Sequence, residues 1–279
     1  MDKKLLKKAV KKKQKEIKQL KTNFNIGLVR NAVFAVGTDF YSPQMGLLDP
    51  QRFPVVLPLF SRQPADGATI ESYQPFRLGR MLSRLKVPAV LAATDRELLG
   101  GDPSHLNRIK TGSELAVIMW DFIIDEVQIY QAKSFGADGL LLTSELLDTE
   151  TLADFTEKTF DTGMEPFLEI QKAEDLSRVE KNYIGGLILS REAFDAISGS
   201  GILQEVRQAH PAGLPVLLRH QPQSTEEVAE WREKGIFHFL LPENWLFKPE
   251  HLKQLDDYLW DTWPALRHLR GEPDDEDVV

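Results

Sequence analysis

The sequence predicts a single (β/α)₈ barrel of the α/β class, a TIM barrel with an extra helix at its amino terminus. Three observations predict it. From residue 31 onward, eight short apolar runs alternate with segments of helical periodicity. The runs are continuous rather than alternating, as parallel strands buried on both faces must be. The 249 residues from 22 to 270 also match the roughly 250 that such a barrel takes. A doubly wound open sheet is the rival, but no glycine-rich nucleotide fingerprint supports it.

The elements follow in order. Residues 1–25 read as a lysine-rich helix lying on the barrel. Leu6, Val10, Ile17, Leu20 and Phe24 recur at spacings of three, four or seven, which sets them on one narrow stripe with lysines around the rest. The barrel itself is assigned to 26–270. Its predicted strands are Ala32–Val36, Ala89–Ala93, Leu115–Met119, Gly139–Thr143, Pro166–Ile170, Gly186–Leu189, Pro215–Leu218 and Phe237–Leu241. Helical patterns between them include Asp125–Phe135, Thr149–Thr162, Ala173–Lys181, Thr225–Lys234 and Pro249–Trp260. Gly136, Gly163 and Gly235 stand where a C-terminal helix cap is expected. One stretch breaks the rhythm. Residues 47–75 hold prolines at 50, 54, 58, 64 and 75, and are expected to form an elaborated loop after the first strand. Within it, Val55–Phe60 could form an edge strand. The acidic tail 271–279 is expected to be disordered.

Composition narrows the function. With 42% apolar and 27% charged residues and no cysteine, the chain is neither disordered nor a disulfide scaffold, and it has no thiol nucleophile. No apolar run reaches the roughly 18–20 residues of a membrane span, and the leader lacks a secretory core, so a cytoplasmic protein is expected. The net charge of −8 is segregated: residues 1–21 carry ten lysines against Asp2 and Glu16, the tail carries five acids, and −11 remains for residues 22–270. An acidic body with a basic leader is not the pattern of a specific nucleic-acid binder.

In such a barrel, chemistry belongs at the C-terminal strand ends. Those ends hold Asp39, Asp95, Asp121, Glu145, Glu169, Arg191 with Glu192, Arg219 with His220, and Glu243. This is an acidic mouth suited to acid–base work, in which Asp95 and Asp121 can equally serve as caps or arginine partners. No metal site and no cofactor are expected.

The third strand carries a resemblance. Residues 120–142, WDFIIDEVQIYQAKSFGADGLLL, closely resemble the KDFIID-x-YQIYEAR-x-x-GADAILL run of indole-3-glycerol phosphate synthases. VLAATDRELLGG (90–101), GMEPFLEIQKAEDL (163–176) and EEVAEWREKGIFHFLLPENW (226–245) extend it from Val87 to Leu255, with an echo at Asp39–Gly46. The resemblance implies a TIM barrel of the tryptophan pathway with a lid-like N-terminal helix. It also implies a lyase that closes an indole ring with loss of CO₂ and water. The family's functional positions are mostly replaced. Its general-acid lysine falls on Trp120. Its first-strand Glu-x-Lys, counted back from Ser42-Pro43, falls on Gly37 and Asp39. Its sixth-strand Asn falls on Leu189, and its seventh-strand Ser-Glu-Ser-Gly on Leu218, Arg219, His220 and Gln221. Its eighth-strand pair falls on Pro242 and Glu243. Glu169 remains as the candidate catalytic group, with Ser42, Arg191 and His220 as candidate ligand-binding groups. Three readings follow: a degenerate barrel acting as a binding or interaction protein, a barrel enzyme repurposed around Glu169, and a divergent working synthase. A small-molecule ligand is expected at the barrel mouth, and no protein partner is identified.

Overall fold

The structure, a computed structural model, describes residues 3–23, 27, 39–62, 69, 73–178, 184–210, 213–242 and 249–269. Eight parallel strands close into one barrel in sequence order: β1 (Val55–Leu59), β2 (Ala89–Ala93), β3 (Ala116–Trp120), β4 (Gly139–Thr143), β5 (Glu165–Ile170), β6 (Gly186–Leu189), β7 (Val216–Arg219) and β8 (His238–Leu240). The first strand differs from the expected one. It lies inside the proline-rich stretch 47–75, and Ala32–Val36 falls outside the described residues. Pro58 is tolerated because of its ladder position. Leu241 donates to the Val56 carbonyl, so the even-numbered groups of β1 face β8, and pairing with β8 stops at Val56. The missing N–H of Pro58 therefore falls past the last ladder bond.

Side chains alternate across each strand. Val56, Leu91, Ile118, Leu141, Phe167, Ile188, Leu217 and Leu240 fill the barrel interior. Their neighbours Leu57, Val90, Val117, Leu140, Leu168, Leu187, Leu218 and Phe239 pack outward against the helices. Those helices include α3 (Pro75–Arg84), α4 (Ser104–Lys110), α5 (Val127–Ser134), α6 (Thr149–Asp161), α7 (Arg191–Ile197), α8 (Ile202–Gln208), α9 (Thr225–Glu233) and α10 (Pro249–Thr262), after α1 (Lys3–Asn23) and α2 (Pro43–Leu48). Gly136, Gly163 and Gly235 take positive φ after α5, α6 and α9, as C-terminal caps require. After β5, the described part of the expected helix Ala173–Lys181 is a 3₁₀ turn, Ala173–Arg178. Arg178 ties it back to the Ser144 carbonyl at 3.0 Å and to Asp175 at 2.9 Å. Among the described residues, no helix is long and apolar enough to cross a membrane.

The N-terminal end of the barrel is stoppered by residues 39–48. Two carboxylates hold that segment, Asp138 buried and Glu165 half-buried. Asp138, before β4, accepts from Tyr41 N at 3.0 Å and from Lys110 Nζ at 2.7 Å. Glu165, opening β5, accepts from the Ser42 hydroxyl and from Gln44 N at 2.7 Å. Burial pushes both carboxyls above their ordinary range, and the bonds they accept work against that shift.

His238 closes the same end, donating from Nε2 to the Leu47 carbonyl at 3.0 Å. Burial pushes its imidazole down to about 4; the Leu47 bond opposes the shift and Arg207 adds to it. The native state thus holds a neutral ring, while the unfolded chain takes up a proton near pH 6.5. The associated stability is present above pH 6.5 and is lost as pH falls toward 4. Urea unfolding at pH 7 and pH 4.5 should show the wild type losing about 2–3 kcal/mol more than His238→Asn, at about 1.4 kcal/mol per pH unit. Equal losses in the two proteins would contradict this.

Candidate functional site: the barrel mouth

The upper interior layer is built from the last inward residue of several strands. Phe60 follows β1, Ala93 and Trp120 pair across β2 and β3, Thr143 and Glu169 pair across β4 and β5, and Arg219 ends β7. Half of this layer is apolar. The Phe60 and Trp120 rings meet edge to face, centroids 6.2 Å apart, over Ala93 and Leu99. The other half is an ion pair. Arg219 Nη2 donates to Glu169 Oε1 at 2.6 Å, and Thr143 Oγ1 approaches Oε2 at 3.5 Å. Glu169 is buried, so this charge-assisted bond sits in a low-dielectric pocket and fixes the carboxylate.

Over the rim between β2 and β3 lies α1. Its docked face runs through Ala9, Lys13 and Ile17, with Leu6, Val10 and Leu20 half-buried beside them. Lys13 is 2% exposed, although it is a lysine on a lysine-rich helix. Its ammonium lies 2.8 Å from Asp121 Oδ1, 3.1 Å from Asp95 Oδ2 and 2.8 Å from Glu16 Oε2. The two barrel carboxylates are held from below. Asp121 accepts from Thr94 Oγ1 at 2.7 Å and from Phe122 N at 2.6 Å, and Asp95 accepts from Leu98 N at 2.7 Å. Burial works against the ammonium of Lys13, but Asp121 and Asp95 outweigh it and its pKa rises above the ordinary lysine value. Burial likewise pushes the Asp121 carboxyl up against the pull of Lys13.

The structure gathers only part of the expected site. Glu169, Trp120 and Arg219 do meet in the mouth. Asp95 and Asp121 stand on the rim under Lys13. Ser42 lies at the opposite end of the barrel, where it caps α2 and donates to Glu165, so a mouth ligand cannot reach it. Asp39 is at that end too, its carbonyl accepting from Lys110. Arg191 sits on the outside, paired with Asp195 at 3.0 Å and stacked over Trp231 at 4.8 Å. His220 turns outward to Glu227 at 2.6 Å and also rests on Trp231. Leu189 packs in the outer core. Gln221 and Pro242 follow β7 and β8 as partly exposed loop residues. Gly37 and Glu243 fall outside the described residues. Among the described residues, no three His, Cys, Asp or Glu side chains converge as a metal site requires.

A family model for indole-3-glycerol phosphate synthase matches residues 6–186, well over half of the chain. The chain belongs to the indole-3-glycerol phosphate synthase family. The indole-3-glycerol phosphate synthase of Desulfotalea psychrophila is 26% identical over 204 residues, covering 72% of this chain and 77% of that protein. That of Clostridium acetobutylicum is 22% identical over 215 residues, covering 76% and 81%. Indole-3-glycerol phosphate synthase 2 of Streptomyces coelicolor is 33% identical over 122 residues, covering 44% and 47%. The family match ends at the start of β6, before β7 and β8.

Ser42-Pro43 precedes β1, so it does not stand after the first strand; the residue-proline pair that does is Gln63-Pro64. The same count back then puts the first-strand Glu-x-Lys on Pro58 and Phe60, not on Gly37 and Asp39. The positions that the resemblance implies for the general-acid lysine and the seventh-strand Glu, Trp120 and Arg219, are unchanged by this recount. Phe60 escaped sequence reasoning because its strand was misplaced; the signal was the apolar run Val55–Phe60 ahead of Gln63-Pro64. Lys13 escaped because it looked like one charge among many. Its signal is its position midway between Ala9 and Ile17, four residues from each, on the buried face of the helix.

Proposed function

We propose that this barrel retains the synthase fold without the standard ring closure and serves as a binding or interaction protein. One observation carries the reading: Phe60 and Trp120 pack edge to face at two mouth positions where the family resemblance implies ammonium groups. A phenyl ring has no proton to give. An indole N–H is a hydrogen-bond donor without charge, and it cannot serve as general acid to a developing alkoxide. Arg219, where a carboxylate is implied, supports the same reading, because it occupies Glu169 instead of leaving that group to the substrate. Pro242 supports it as well, since it offers no backbone N–H to a phosphate. On this reading the face of Trp120 is a stacking surface for a ligand entering the mouth.

The test is direct. Purified protein is given the carboxyphenylamino deoxyribulose phosphate, and indole formation is followed by absorbance. Loss of a general acid and of an electrostatic stabiliser should leave turnover at least about 10⁴-fold below that of an ordinary synthase. Turnover within tenfold of one would reject the proposal. A second reading, a repurposed enzyme, draws on the convergence of Glu169, Arg219 and Thr143 in the mouth. It predicts thermal stabilisation by an unphosphorylated small molecule that Glu169→Gln abolishes.

A further inference from the structure

The lysines of α1 are treated differently on the two sides of the helix. Toward the β2 and β3 loops three of them have barrel carboxylates: Lys12 pairs with Glu97, Lys13 with Asp95 and Asp121, and Lys21 with Asp125 at 2.6 Å. On the side of the β4 and β5 loops the helix overhangs a cavity of about 950 Å³. Lys7, Lys8 and Lys11 line it, together with an apolar floor of Leu6, Val10 and Leu146. The carboxylates available there are largely spoken for. Asp175 is held by Arg178 at 2.9 Å and by Ser144 Oγ at 2.8 Å, and Glu174 lies 3.8 Å from Lys172. Against the three helix lysines stands only Glu145, and among the described residues none of the three has a carboxylate in ion-pair range.

We propose that this cavity is a binding site for an organic anion with an apolar body, such as an aromatic or acyl carboxylate, sulfonate or phosphate. Its volume lies at the upper end of small-molecule sites. Its chemistry is two-sided: half-buried leucine and valine side chains accept the body, and the ammonium groups of one helix edge accept the charge. Lys15 and Lys18 point into open solvent, whereas Lys7, Lys8 and Lys11 line a cavity with apolar walls, so an anion with an apolar body can meet both there. The cavity shares no lining residue with the Phe60, Trp120, Glu169 and Arg219 layer, so the inference stands whether or not ring closure is lost.

The full chain is titrated with 1-anilinonaphthalene-8-sulfonate, with uncharged N-phenyl-1-naphthylamine and with inorganic phosphate. The expected result is saturable one-site binding of the sulfonate, with the neutral naphthylamine and bare phosphate each weaker by about tenfold or more, since body and charge both contribute. Lys7→Glu/Lys11→Glu should weaken the sulfonate by about tenfold or more. Lys15→Glu/Lys18→Glu, an equal charge change at exposed positions off the cavity, should alter it by less than about twofold. Equal weakening by the two pairs, absence of saturation, or equal affinity for the neutral naphthylamine would each overturn the proposal. Indole formation is assayed separately, so neither result depends on the other.

Discussion

Lys13→Met should cost about 3–5 kcal/mol, the penalty for removing one partner of a buried ion pair. The reason is asymmetric. Lys13 is the charge that lets Asp95 and Asp121 stand side by side out of water, at 3.1 and 2.8 Å from its ammonium. Without it, two buried carboxylates face each other across the rim with no counter-ion between them. The loss should fall first on α1, whose remaining attachment is a thin seam of Ala9 and Ile17 and the more exposed pairs Lys12–Glu97 and Lys21–Asp125. Amide exchange is the deciding measurement. In the variant, α1 should lose protection before the strands do, and urea unfolding should register the remainder. Adding Asp95→Asn and Asp121→Asn to Lys13→Met should recover most of the loss, because a neutral site carries no uncompensated charge. Unchanged α1 protection in Lys13→Met would show that the latch is not what holds the helix.

How far the sequence could be read follows the same physics. Strands β2 to β8 announced themselves because a strand buried on both faces admits little but apolar residues, and their runs stand out between polar helices. β1 did not, because a proline inside a run argues against a strand unless its N–H side is known to face past the end of a ladder, and that is a tertiary fact. The Ser42-Pro43 pair misled for a local reason. A serine followed by proline is also the ordinary start of a helix, and here Ser42 caps α2 with a 3.0 Å bond to Met45 N. Carboxylates at strand ends were legible as residues but not as partners. Nothing in the spacing of Asp95 and Asp121 names Lys13, more than eighty residues away in the chain, as their shared counter-ion.

Trp120→Lys should restore the general-acid residue type to β3 without restoring ring closure. Three neighbours decide this. Phe60 stands at the other position where the resemblance implies an ammonium group, so the second positive charge stays absent, and its ring would lie against the new side chain. Arg219 stays bonded to Glu169 at 2.6 Å and repels a lysine brought into the same layer. The new ammonium would also leave the apolar contact with Phe60, Ala93 and Leu99, so the variant should unfold about 1–3 kcal/mol more easily than the wild type. The paired expectation is indole formation still at least about 10³-fold below an ordinary synthase, with a lowered melting temperature. Phe60→Lys/Trp120→Lys/Arg219→Glu, which returns all three implied side chains to one layer and frees Glu169, is the variant in which turnover should first exceed that of Trp120→Lys. If the single substitution alone brought the rate within about a hundredfold of an ordinary synthase, one proton donor would have been all that was missing, and the proposed loss of the mouth's charge pattern would fail.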